Sequence, residues 1–133
     1  MEGRVLIPFI QALRDKFGEH AAGEVVDETI RKLAAEDGAR WAATCGRTTA
    51  SMRTMARELW VIDESEDHLD FNVTRCGYAE FYKELGLADL GVRVHCNRDH
   101  AMLVGFNNEL ELSRSQTIMA GATCCDFRFR KRP

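Results

Sequence analysis

Apolar positions recur at helical spacing through the first half of the chain. Phe9, Ile10, Leu13 and Phe17 follow Pro8, a residue suited to a helix start, and run to Gly18. A longer helix follows, in which Val26, Ile30, Leu33 and Trp41 fall on one face of a period of about 3.6 residues. Glu24, Asp27, Glu28, Arg31, Lys32 and Glu36 fill the opposite face, the mark of a helix half turned to solvent. After Gly46, Met52, Met55, Ala56 and Leu59 repeat the spacing, and these stripes are read as core-facing.

The period then changes. Leu69, Phe71 and Val73 alternate with Asp70, Asn72 and Thr74, which predicts a half-buried strand. Its expected partner is Leu59-Trp60-Val61-Ile62-Asp63, with the polar stretch 64–68 as the hairpin loop. Tyr78, Phe81, Tyr82 and Leu85 return to helical spacing, and Gly86 is placed to end that helix in the left-handed conformation. Alternation resumes over 109–119, with Leu110 and Leu112 on one side. It returns over 124–130, where Cys125, Phe127 and Phe129 oppose Cys124, Asp126, Arg128 and Arg130, with Gly121 at the turn between. The expected fold is α+β, with N-terminal helices packed on an antiparallel sheet of about four strands, two hairpins separated by a helical insert. Residues 1–57 are mainly helical and 58–130 carry the sheet, within one domain spanning 1–133.

Composition narrows the class. A chain of 133 residues with 45% hydrophobic and 29% charged residues is an ordinary globular protein, and its net charge of −3 speaks against a general nucleic-acid binder. The basic run Arg128, Arg130, Lys131 and Arg132 reads as a solvated tail. Val5 to Ile10 is too short to span a membrane and no small-residue cleavage site follows it, so the expectation is a cytoplasmic protein without membrane partners. A homo-oligomer stays open. The cysteines at 45, 76, 96, 124 and 125 are odd in number and include an adjacent pair, which argues against a disulfide framework. Each thiol is then a small buried hydrophobe, a metal ligand or a nucleophile.

Two of these thiols sit in reactive company. Cys76 falls between a strand and a helix start, where unpaired backbone N–H groups and the helix dipole would favour a thiolate; a buried or capping thiol is the plainer alternative. Cys96 lies in His95-Cys96-Asn97-Arg98-Asp99-His100, which supplies a nucleophile, a carboxylate and two imidazoles, although Asp99 would serve equally as a helix N-cap. Cys76, Cys96, Cys125 and either His95 or Asp99 would add up to four zinc ligands. Without a closely spaced ligand pair, no cofactor is expected, and zinc is kept as the minor reading.

Five segments in order carry a family resemblance: 73–79 (Val-Thr-Arg-Cys-Gly-Tyr-Ala), Leu85-Gly86, Cys96-Asn97-Arg98-Asp99, Arg114-Ser115-Gln116-Thr117, and Gly121 with 125–129 (Cys-Asp-Phe-Arg-Phe). Over roughly residues 70–130 they resemble the L-2-amino-thiazoline-4-carboxylic acid hydrolase family. The resemblance marks Cys76, Tyr78, Cys96, Asp99, Arg114, Thr117, Gly121, Cys125 and Asp126. Ser115 stands where threonine is expected, and Ala122 where a polar residue is common. The stretch from Gly121 to Phe127 is also similar to the close of vinyl-reductase-like small-molecule-binding domains, with Arg114 and Thr117 in place of their acidic residue and second cysteine.

What the resemblance implies is a hydrolase acting at a carbon–nitrogen bond of a small cyclic amidine, opening 2-amino-thiazoline-4-carboxylate to N-carbamoyl-cysteine. Cys96 or Cys76 would attack, or Asp99 would activate water. Arg114 would grip the carboxylate of the substrate with its planar fork, and Thr117, Tyr78, Cys125 and Asp126 would complete the binding site. The rival expectation is a small-molecule-binding or sensory domain without turnover.

Overall fold

A computed structural model of the chain describes residues 2–54 and 60–133. Helix α1 (Glu2–Phe17) and helix α2 (Glu19–Cys45) form a hairpin that reverses at Gly18, whose φ of +86° is one that only glycine adopts without strain. Pro8 lies inside α1 instead of at its start. The helix runs through it at the expense of one backbone hydrogen bond, on a side exposed to solvent.

The buried face of α2 is the expected one only in part: Val26 is buried and Ile30 packs against the core. Leu33 and Trp41 remain 49% and 42% exposed, whereas Ala22, Gly23, Val26, Ala34, Gly38 and Ala42 are buried. The reason is how close α6 (Arg98–Phe106) comes to α2. A Cβ built on Gly38 would stand 1.9 Å from the Met102 carbonyl oxygen, and one on Gly105 would stand 1.8 Å from that of Ala35. Backbone meets backbone here, so the stripe that matters is one of small residues and a search for large apolar side chains passes over it.

After α3 (Thr49–Thr54) the chain enters the sheet. Met55, Ala56 and Leu59, expected to extend α3 and begin the first strand, lie outside the described residues. Strands β1 (Trp60–Glu64), β2 (His68–Val73), β3 (Leu110–Ser113) and β4 (Cys125–Lys131) form one antiparallel sheet in the order β1-β2-β4-β3. The β1–β2 turn is tied by Ser65, whose N–H donates to the His68 carbonyl and whose hydroxyl accepts from the N–H groups of Asp67 and His68. In the register of β2 with β4, Leu69 faces Phe129 and Phe71 faces Phe127, so one side of the sheet is a patch of stacked aromatic rings.

Strand β3 is shorter than the alternation over 109–119 predicts. It stops at Ser113 because the next backbone donors leave the ladder: the N–H groups of Ser115 and Gln116 both donate to the Asp126 carboxylate. A loop from 114 to 124 follows, turning at Gly121 with φ +106°.

The helical insert lies between β2 and β3 and comprises α4 (Gly77–Glu84), α5 (Ala88–Gly91), a π-helical turn (Val92–Cys96) and α6. Gly86 leaves α4 with φ +69°, as its position suggests. Tyr82 and Ala79 are buried, whereas Tyr78 and Leu85, expected on the same face, are 57% and 51% exposed. One core cluster joins Ile7, Ile10 and Val26 to Tyr82, Leu90, Val94 and Met119. The other joins Leu69, Phe71, Leu110 and Phe129 to Leu103 of α6.

Candidate active site

The π-helical turn delivers Cys96. Its wider winding is closed by the Asn97 N–H donating to the Val92 carbonyl at 2.9 Å, and such turns recur at functional sites because they re-aim a residue within a helix. The Cys96 carbonyl accepts from Nη2 of Arg114 at 2.7 Å. One residue past the start of α6, Oδ2 of Asp99 accepts from Nη1 of the same guanidinium at 2.5 Å. Asp99 therefore does not cap the helix; the cap position falls to Asn97, whose side chain makes no capping bond.

Arg114 is nearly sealed, with a side chain 6% exposed and its guanidinium carbon 5.0 Å from the centre of the Phe127 ring. Its fork is already held by Asp99 and by the Cys96 carbonyl. In this arrangement Nη1 and Nη2 hold Asp99 and the Cys96 carbonyl, so Arg114 positions Asp99.

Charge is finely set around this pair. Burial raises the Asp99 carboxyl above its ordinary range even though the Arg114 guanidinium pulls it down. Burial also pushes up the Cys96 and Cys125 thiols, opposed in both by the positive charge of Arg114. Thr117 hydrogen-bonds Cys96, and Cys125 Sγ accepts from the Ile118 N–H at 3.2 Å. Cys76 is close enough to Cys125 to influence its ionisation. Asp99 and the Cys96 carbonyl thus meet on Arg114, with Thr117 on the Cys96 thiol, while Cys125 and Cys76 bear on this group through charge alone, and of these residues only Asp99 lines the cavity beside it.

Tyr78 and Asp126 are occupied elsewhere. Tyr78 stacks on His95 with ring centres 3.9 Å apart, on the side of α4 that faces solvent. Asp126 accepts from the Ser115 hydroxyl as well as from the two backbone N–H groups; burial would raise its carboxyl, but these bonds together hold it below the ordinary range. Its task is to shape the 114–124 loop. Among the described residues no three His, Cys, Asp or Glu side chains are placed to hold a metal ion, so the zinc set weighed above is not assembled.

Beside the Arg114–Asp99 pair opens a cavity of about 220 Å³. Its walls come from Trp41 of α2, Met52 of α3, Phe71 and Val73 of β2, Phe127 and Phe129 of β4, and Asp99, Met102, Leu103 and Phe106 of α6. Sequence reasoning missed Trp41, Met52, Phe71 and Phe127 as site residues. The available signal was the inward alternation of the two aromatic strands together with Met102, Leu103 and Phe106 following Asp99 at helical spacing.

The family model described as L-2-amino-thiazoline-4-carboxylic acid hydrolase matches residues 1–129. The chain belongs to this family. The match takes in the helical first half, which carries no part of the resemblance over 70–130, and the structure gives a reason: the cavity needs α2 and α3 for two of its walls. The cavity is open to solvent on one side and carries one acid, Asp99, on its otherwise apolar described wall. No curated protein matches the chain.

Proposed function

We propose that the protein is a hydrolase that opens a small cyclic amidine of the 2-aminothiazoline type, with Asp99 as the base. The observation that carries this reading is Asp99 as the one charged residue on the described wall of an otherwise apolar cavity. A cavity of about 150 Å³ takes a benzene ring, so 220 Å³ has room for a five-membered ring and a water beside it. Asp99 also has a free acceptor, since only Oδ2 is bonded to Arg114 among the described residues.

In the reaction, Asp99 takes a proton from water as its oxygen bonds to the ring carbon between nitrogen and sulfur. The carbon–nitrogen double bond becomes single, and Asp99 passes the proton it took from water to that nitrogen. The tetrahedral intermediate then collapses to a carbonyl: Asp99 takes the proton of the new hydroxyl and hands it to the sulfur as the carbon–sulfur bond breaks. The product is a carbamoyl amine with a free thiol. Both carbon–nitrogen links survive, so the bond cleaved is carbon–sulfur and not the carbon–nitrogen bond expected from the family's chemistry. Direct attack by water is preferred over a cysteine nucleophile because burial keeps the Cys96 and Cys125 thiols protonated.

The test is ring opening, followed by proton NMR, across a panel of 2-aminothiazolines that includes the 4-carboxylate. Asp99→Asn is expected to lower kcat roughly a hundredfold or more, the usual worth of a general base, while Cys96→Ala retains most of the activity. Loss of turnover in Cys96→Ala with Asp99→Asn active would transfer the chemistry to the thiol. If no ring is opened, yet one raises the melting temperature, the protein binds without turnover.

A further inference from the structure

A second cavity, of about 230 Å³, lies between α2 and the π-helical turn. It is lined by Asp27, Ile30 and Arg31 of α2, by Arg93 of the turn, and by Asn97, whose N–H closes that turn. Trp41, on the wall of the first cavity, stands ten residues beyond Arg31 on α2, about 15 Å along the helix at a rise of about 1.5 Å per residue. The ion pair of Arg98 with Asp37 falls between them, and the two cavities share no described lining residue.

The chemistry of this second cavity is cationic, and its donors are incompletely used. Arg93 donates through Nη1 to Oδ2 of Asp27 at 3.0 Å, and its guanidinium lies against α2 at Gly23, where a Cβ would stand 2.6 Å from Nη1. Arg31 donates through Nε to the Asp27 carbonyl at 3.2 Å. Among the described residues, Nη2 of Arg93, both terminal nitrogens of Arg31 and the side-chain amide of Asn97 have no hydrogen-bond partner. Two guanidinium groups against one carboxylate leave one net positive charge. Planar forks of N–H donors match the oxygens of a carboxylate or a phosphate, and a fork already held by Asp27 gives up little freedom on binding one.

We propose that this cavity is a binding site for a small oxyanion, a carboxylate or a phosphate, held between Arg31 and Arg93 with the Asn97 amide as a further donor. The site is separate from the ring-opening chemistry. Its occupant ties α2 to the turn whose Cys96 carbonyl meets Arg114, and so braces the segment that leads to Asp99.

Titration of the isotope-labelled full chain with sodium phosphate and with sodium acetate, each against sodium chloride at matched ionic strength, tests this by amide NMR. Saturable shifts centred on Asp27, Arg31, Arg93 and Asn97 are expected, with a Kd of about 1 mM that weakens as salt is added. Arg31→Gln, at an exposed position bonded only within its own helix, and Arg93→Lys, which keeps the charge and loses the fork, should each weaken binding at least about fivefold. Arg132→Gln removes the same charge near the exposed end of the chain and should leave the affinity unchanged. Saturation by phosphate alone assigns the site to phosphates, by acetate alone to carboxylates, and by both to the chemistry they share. Shifts that never saturate with either anion, or that chloride reproduces, overturn the proposal, as does an unchanged affinity in Arg31→Gln.

Discussion

Asp99 is pulled in two directions, and activity should report both. Burial lifts its carboxyl and Arg114 lowers it, with burial prevailing. A base works only when deprotonated, so kcat/KM should rise with pH through a pKa above that of a free aspartate. Arg114→Met removes the opposing cation and should move this limb to still higher pH; Asp99→Asn should abolish the limb altogether. The pH–rate profile of the three proteins checks this, and an unmoved limb in Arg114→Met would mean that another group is the base. Of this site the sequence displayed the parts without their pairing. Cys96, Asp99, Arg114, Thr117 and Cys125 were all marked, but a guanidinium 15 residues from its carboxylate can as readily face a ligand as a partner. Only the fold decides which.

At the scale of the elements, the α2–α6 crossing sets the position of Asp99, Met102 and Phe106, and it rests on two glycines. At Gly105 an added methyl would be driven into the Ala35 carbonyl, whereas nothing lies within 4 Å of one at Gly77 in α4. Gly105→Ala should therefore cost about 3 kcal/mol, at the upper end of overpacking, because backbone cannot turn aside as a side chain can. Gly77→Ala should be close to neutral. Denaturant melts of both variants measure the difference, and equal stabilities would show that the helices can separate cheaply. This crossing also explains which elements were legible. The sheet and α4 were readable because their alternation and spacing involve large side chains, as with Phe71, Phe127 and Phe129. The packed face of α2 was legible at Val26 but not along the α6 crossing, where its signal is the small residues Ala34, Gly38 and Ala42 facing Gly105 of α6. The π-helical turn at 92–96 has no periodic signature at all.

Across the whole molecule, one of the two core clusters is shared between the helical first half and the sheet-bearing second half, and the other lies within the second half. Ile7, Ile10 and Val26 share one cluster with Tyr82, Leu90, Val94 and Met119, and the cavity draws Trp41 and Met52 from the first half against Phe71 and Phe127 from the second. A fragment of residues 58–133 would thus keep its four strands yet expose the faces of α4, α5 and α6 that α1 and α2 cover. Stripped of that burial, it should lack the apolar area that repays the entropy of ordering a chain of its size. Expressed alone, it is expected to give the collapsed amide spectrum of a chain without fixed packing, to bind the dye that reports exposed apolar surface, and to open none of the rings that the full chain opens. Adding the fragment 1–57 in trans should restore dispersion if the shared core is what is missing. A well-dispersed spectrum from 58–133 alone would instead show that the sheet and its insert fold independently. The first half would then contribute walls to the cavity without contributing to the stability of the rest.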